Sequence, residues 1–237
     1  VVSGNVRRSA ALAMGRYDDT RYLEMKNDQE KLYHHRWGSN NSFNAEVGMD
    51  YTWHAEQSQK NGEPGYIWLD NARTRGRMKD GKRDDDLNVA GFNPCVEQQL
   101  EDAELCCLVE TFPAKHESFD DYLATLKVAY LYGKTVTLVN THWPETNSIM
   151  LKNRRIGLSQ SGVVQAFSKH GRRKMFEWCD KSYKHVKELD KHYSNWLCVP
   201  RSVRMTSIKP SGTVSLLNGS TPGIHFPEDE YYIRRIR

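Results

Sequence analysis

A short apolar run at 108–112 is followed closely by Ser118-Phe119-Asp120-Asp121, and this succession of strand and capped helix restricts the fold more than any other feature of the chain. Ser118 is suited to cap a helix, and Asp120 and Asp121 complement the positive end of its dipole. Phe119, Tyr122, Leu123, Leu126, Ala129 and Tyr130 then recur at helical spacing, which predicts one buried stripe. A second long helix is expected over 174–197, with Phe176, Cys179, Tyr183, Val186, Tyr193 and Leu197 on its inner face and Cys198 just beyond. Short strands are expected at the start of the chain and over 66–69, and residues 152–158 read as a helix end entering a strand. A helix over 53–60 should stop at Asn61-Gly62-Glu63-Pro64-Gly65, a strong turn signal. The class is therefore α/β, and 237 residues suffice for one large domain or for part of a larger barrel.

Composition narrows the function. With 38% hydrophobic and 27% charged residues and a mean hydropathy of −0.75, the chain reads as a soluble globular protein with long polar faces. A net charge of +4 gives no stripe for duplex binding, so no direct nucleic-acid partner is expected. No apolar run approaches the roughly 18 residues of a spanning helix, so no membrane partner is expected either, and the localisation inferred is cytoplasmic. Five cysteines without a CxxC pair suit neither a disulfide framework nor a structural zinc site; no metal site is expected, and reduced or catalytic thiols are the better reading. The chain opens at Val1 without an initiator Met, as an excised piece of something longer would.

Three stretches carry chemistry. In Asn93-Pro94-Cys95-Val96-Glu97 a carboxamide, a thiol and a carboxylate occupy alternate positions, so an extended segment would point all three one way. Cys106-Cys107 follow shortly after. The same pattern suits a small buried cysteine in a turn, and the residues alone leave both readings open. Residues 1–10 join an apolar strand to a loop with Ser3, Gly4, Asn5, Arg7 and Arg8, which suits either contact with a phosphate or base or a solvated turn. Lys209-Pro210-Ser211-Gly212-Thr213-Val214-Ser215 sets hydroxyls around a glycine, which fits an anion nest and an ordinary helix cap equally. Elsewhere, residues 17–31 read as a loop entering a short helix, His34 and His35 as part of a packed polar turn, and the charged residues of 71–77 and 79–86 as solvated surface.

Together, and in this order, these stretches resemble ribonucleotide reductase catalytic subunits. Lys31-Leu32-Tyr33-His34-His35-Arg36-Trp37-Gly38-Ser39-Asn40-Asn41, the Asn61 to Gly65 turn, Lys152-Asn153-Arg154-Arg155-Ile156-Gly157, Gly223-Ile224-His225-Phe226 and Ile233-Arg234-Arg235-Ile236-Arg237 agree as well, and they most resemble the adenosylcobalamin-dependent ribonucleoside-triphosphate reductases. The resemblance implies part of a ten-stranded α/β barrel with a central finger loop, residues 1–237 being the central portion of one catalytic barrel domain without its N- and C-terminal parts. It implies a thiyl radical at Cys95, proton uptake by Glu97, ribose contacts from Asn93, a reducing equivalent from Cys106, and substrate phosphate binding at Ser211, Gly212, Thr213 and Ser215. It further implies adenosylcobalamin as cofactor, a ribonucleoside triphosphate substrate, a deoxynucleotide effector read by Ser3, Gly4, Asn5, Arg7 and Arg8, a thioredoxin-like reductant, and the missing remainder of a split reductase as a possible partner. Tyr231-Tyr232 resembles the radical-relay tyrosines of the iron-dependent class but falls too soon after the phosphate loop and reads as packing. Two alternatives stand beside this: a catalytic subunit fed by a separate metal-radical subunit, and a non-catalytic nucleotide-binding fragment of a split protein.

Overall fold

The computed structural model describes residues 11–28, 38–227 and 229. The expectations for residues 1–10, including Ser3, Gly4, Asn5, Arg7 and Arg8, and those for His34-His35 and Tyr231-Tyr232, lie outside the described residues.

Two parallel βα layers flank a hairpin. In the first, β1 (Ala11–Gly15), β2 (Ser39–Asn44) and β3 (Gly65–Ile67) lie side by side in chain order, Ala11 opposite Ser39 and Ser42 opposite Gly65. Helix α1 (Thr20–Leu23) follows β1, and α2 (Thr52–Asn61) crosses from β2 to β3. The expected stop of α2 is Gly62, whose φ of 83° closes the helix in a conformation that costs a side-chain-bearing residue more. Phe43 is fully buried beneath Tyr17, Tyr51, Tyr66 and His54, an aromatic cluster that seals this layer. The strand expected over 66–69 ends at Ile67, because Asn44 Oδ1 accepts the Leu69 N–H at 3.2 Å and Leu69 starts α3 (Leu69–Thr74).

The hairpin pairs β4 (Gly91–Phe92) with β5 (Gln99–Leu100) in antiparallel fashion. Beyond it, β6 (Leu108–Thr111) pairs in parallel with β7 (Gly157–Gln160), and Leu158 bridges in parallel to Thr206 as a further rung. Helices α4 (Phe119–Val136), α5 (Pro144–Asn153), α6 (Val163–His170) and α7 (Arg172–Trp196) supply the crossovers. Ser118 caps α4 as expected, its Oγ accepting from Asp121 N at 3.2 Å. Tyr122, Leu126, Ala129 and Tyr130 of α4 pack with Met175, Trp178 and Val186 of α7 and with Ile156 and Leu158, so the core of this layer lies where strands meet helices. Each large apolar side chain buried there contributes about 1.5–3 kcal/mol.

The inner face of α7 is rotated from the expected one. Met175, Trp178, Ser182, Val186, Asp190 and Ser194 are buried, whereas Phe176 is 53% exposed. Polar residues turn the helix: Asp190 accepts from Tyr130 Oη and Lys134 Nζ, both at 3.0 Å, and from Ser202 N at 3.0 Å. Burial pulls the Lys134 ammonium below its ordinary value, with Asp190 opposing. Cys179 packs against the core as expected. Residues 79–86 are solvated only in part: Lys79, Lys82, Asp84 and Asp85 are exposed, but three of the acidic side chains have partners across the fold. Asp80 accepts from Tyr183 Oη at 2.6 Å, Asp85 from Arg204 at 2.6 Å, and Asp86 is buried against Arg155. Among the described residues no helix is long and apolar enough to cross a membrane.

Candidate active site

The hairpin brings its side chains together by turning rather than by extending. Asn93 N donates to the Gln98 carbonyl at 3.0 Å, Gln98 N donates to Asn93 Oδ1 at 3.0 Å, and Val96 N donates to the Asn93 carbonyl at 2.9 Å. Val96 is left at φ 64°, a conformation that branched side chains rarely adopt. The expectation that Asn93, Cys95 and Glu97 alternate along an extended strand is therefore wrong in its geometry: the turn folds Glu97 back onto Asn93. The tip is held from both layers. Asn40 Nδ2 of β2 donates to the Pro94 carbonyl at 3.1 Å, and Ser207 Oγ donates to the Glu97 carbonyl at 3.0 Å.

Glu97 is the centre of the resulting cluster. Its Oε1 accepts from Asn93 Nδ2 at 2.7 Å and from Lys209 Nζ at 3.2 Å, while its buried Oε2 has no hydrogen-bond partner among the described residues. A buried acceptor without a donor is costly to keep, and it suits a ligand hydroxyl. Asn93 Nδ2 lies 3.5 Å from Cys106 Sγ, which places that thiol beside the carboxylate. Burial, and then Glu97, push the Cys106 thiol up to about 12 and raise that of Cys95 as well, with Lys209 opposing in both. Both sulfurs are consequently protonated at neutral pH. Cys107 points the other way, into the core under α4. Burial disfavours charge on Lys209, but the Glu97 carboxylate holds its ammonium above the ordinary value.

The stems of the hairpin are locked by charge. Arg155, just before β7, donates to both Glu104 oxygens at 3.0 Å and to the two Asp86 oxygens at 2.7 and 2.8 Å. Arg155 is completely buried, and Asp86 and Glu104 nearly so. Asp86 precedes β4 and Glu104 precedes Cys106, so one guanidinium fixes the approach to both halves of the site.

Three residues that sequence reasoning passed over complete it. Glu110 of β6 lies opposite Ser159 of β7 and accepts from its Oγ at 3.0 Å. Burial pushes the Glu110 carboxyl up to about 7, against hydrogen bonds from Ser161 and Ser159 and the charge of Lys209. Alternation along β6 and β7 places Glu110 and Ser159 on the same side of the sheet, a signal legible once strand pairing was known. Of the expected phosphate-binding residues, Gly212 and Thr213 are accessible, whereas Ser211 and Ser215 are buried and Ser215 Oγ donates to the Ser211 carbonyl. They precede and form the short helix α8 (Thr213–Leu217). A cavity of about 390 Å³ is lined by Glu97, Gln99, Arg204, Ser182 and Tyr183 among others, but by none of Asn93, Cys95, Cys106 and Lys209. Among the described residues no three His, Cys, Asp or Glu side chains are grouped to hold a metal ion.

No family model matches the chain. Along its whole length it is similar to a probable adenosylcobalamin-dependent ribonucleoside-triphosphate reductase of Dictyostelium discoideum, 53% identical over 240 residues and 32% of that protein. The corresponding enzyme of Euglena gracilis is 49% identical over 239 residues, again all of this chain and 33% of the relative. That of Lactobacillus leichmannii is 38% identical over 265 residues, 36% of its length. The chain thus spans about a third of the length of the curated relatives it matches. Among solved structures, a B-12 dependent (class II) ribonucleotide reductase superposes with a TM-score of 0.83 at 34% identity, over 91% of this chain and 34% of that one. The class Id ribonucleotide reductase alpha subunit of Actinobacillus ureae shares the fold at a TM-score of 0.58 and 17% identity, over 77% of this chain and 42% of that one. The expected α/β class is the one found, and the chain is homologous to a part of the class II reductase fold.

Proposed function

We propose that the chain is part of the catalytic domain of an adenosylcobalamin-dependent ribonucleoside-triphosphate reductase, residues 1–237 forming a central portion of one barrel domain. The observation that carries this reading is the meeting of two protonated thiols with one buried carboxylate whose Oε2 lacks a donor. Radical reduction of a ribose needs a hydrogen-atom donor, a proton acceptor and a second thiol within reach of one sugar, and needs them fixed before the substrate arrives. Similarity of the whole of this chain to about a third of proteins named for this activity supports it.

Adenosylcobalamin, when bound, supplies the radical. The residue of this chain that fits it is Cys95, half-buried at the hairpin tip and kept as a thiol by burial and Glu97. As a thiyl, Cys95 takes the hydrogen atom from the ribose 3' carbon and becomes a thiol, and once the 2' position is reduced it gives that hydrogen back to the 3' carbon while the 3' oxygen regains its proton, which restores the thiyl. Glu97 accepts the 3' hydroxyl proton at its free oxygen, and the Asn93 carboxamide orients the ribose hydroxyls. Departure of the 2' hydroxyl as water consumes two thiol hydrogens; Cys106 gives one, a second redox cysteine gives the other, and a disulfide is left. A thioredoxin-like reductant then restores the pair. Gly212 and Thr213 face the substrate phosphates, with Ser211 and Ser215 buried behind them to hold the loop in shape, and Ser3, Gly4, Asn5, Arg7 and Arg8 read a deoxynucleotide effector.

The test is turnover of CTP with adenosylcobalamin and a dithiol by the protein containing this chain, together with the remainder of a split reductase if there is one. Cys95→Ser is expected to form no deoxynucleotide while CTP binding persists, since a hydroxyl does not give up a hydrogen atom readily. Product above background from that variant removes Cys95 from the role. Retention of cobalamin by the purified protein separates this reading from one in which a metal-radical subunit starts the reaction.

A further inference from the structure

We propose that Glu110 is a positioning residue that clasps the neck of the loop spanning residues 209–223 through Ser159 and Ser161. The loop leaves and returns at one place. A Cβ on Gly223, whose φ is 50°, would come within 2.5 Å of the Lys209 carbonyl oxygen, so the two ends of the loop abut. Each end is tied to the strand layer by a backbone N–H given to a serine: Lys209 N donates to Ser159 Oγ at 2.8 Å, and Gly223 N donates to Ser161 Oγ at 2.9 Å. Ser159 Oγ then donates to Glu110 Oε1 at 3.0 Å, and the Ser161 hydroxyl bonds the same carboxyl. One side chain therefore completes the bonding of both serines that close the neck. The residues assigned above to substrate phosphate all lie within this loop, and only the consequence for nucleotide binding rests on that assignment.

The carboxyl also makes the clasp sensitive to pH. The charged groups facing it are Glu97 from the hairpin, which disfavours its ionisation, and Lys209 from the loop, which favours it. Burial dominates, and the closed neck holds the Glu110 proton up to about pH 7, whereas an opened, solvated carboxyl would release it near the ordinary glutamate value. The closed state thus binds the proton more tightly. Closure is favoured as pH falls below 7 and is weakest above it, by about tenfold in the opening equilibrium between pH 6 and pH 8. Both serine hydroxyls donate to the carboxyl, which opposes the effect of burial without reversing it.

The experiment is hydrogen–deuterium exchange of the peptides covering 209–223, corrected for the intrinsic pH dependence of exchange and referenced to helix α4. In the wild-type protein, protection of the loop neck should rise about tenfold from pH 8 to pH 6. In Glu110→Gln, an uncharged isostere with one acceptor and one donor, protection at pH 8 should equal that of the wild type at pH 6 and show no pH dependence. In Glu110→Ala it should fall at both pH values. Wild-type protection that is flat or falls on acidification overturns the proposal, as does a pH dependence surviving in Glu110→Gln. CTP affinity measured in parallel distinguishes the two readings: the expected exchange pattern with affinity indifferent to Glu110→Gln and to pH supports the clasp and overturns the phosphate assignment.

Discussion

Replacing Arg155 by Met should cost the fold about 3–5 kcal/mol, the range for removing one partner of a buried ion pair. The guanidinium makes four charge-assisted bonds of 2.7–3.0 Å to two carboxylates that are, like it, out of solvent. At roughly 1.5–3 kcal/mol each, a simple sum would reach twice the expected figure. The sum overcounts, because Glu104 keeps bonds from Asn153 Nδ2 at 3.1 Å and Glu101 N at 2.8 Å, and Arg204 Nε remains 3.5 Å from Asp86. What is left is chiefly one poorly compensated buried charge at Asp86. Urea unfolding at pH 7 measures the loss directly. Combining Arg155→Met with Asp86→Leu and Glu104→Leu should recover most of the stability, because an apolar trio of similar volume carries no desolvation cost. A loss below about 1 kcal/mol for the single substitution would refute the reasoning, as would a triple variant no more stable than the single one.

Cys106→Ser should leave unfolding nearly unchanged while removing turnover, whereas Cys107→Ser, which buries a hydroxyl in the core, should cost about 1–3 kcal/mol; the reverse pattern in denaturation and activity assays would show that the two sulfurs are misassigned. Asn93→Asp sets a second carboxylate where Glu97 Oε1 now accepts a bond of 2.7 Å. Two such groups repel where a hydrogen bond stood before, so the variant should be destabilised at pH 7, and urea unfolding no different from the wild type would count against this placement of Glu97. Gly133→Ala would drive a Cβ to 2.8 Å from Ile156 Cγ2 and 3.3 Å from Val109 Cγ2, where α4 crosses β6 and β7. Overpacking of about 1–3 kcal/mol is expected from thermal or urea unfolding, and a neutral result would mean that this crossing is looser than described.

The sequence by itself determined the local elements with strong periodic or capping signals: α4 behind Ser118, α2 ending at Gly62, and the strand at 108–111 all stand where the residues predict. It also determined which residue types meet at the site, since Asn93, Cys95, Glu97 and Cys106 lie within one short stretch that the hairpin can close. Local pattern was not enough for polar residues whose partners are distant in the chain. The acidic run ending at Asp86 looked like solvated surface because nothing near it in sequence reveals Arg155, and the face of α7 was misjudged because Asp190 is buried by Lys134 and Tyr130 of another helix. Only the tertiary structure decided that a turn at Val96, rather than strand alternation, gathers the site, that Lys209 reaches Glu97 from the far end of the chain, and that Glu110 faces Ser159. The physical reason is the same in each case: whether a charged side chain is solvated or buried depends on the partner that compensates its desolvation, and strand pairing and helix packing, not sequence distance, supply that partner.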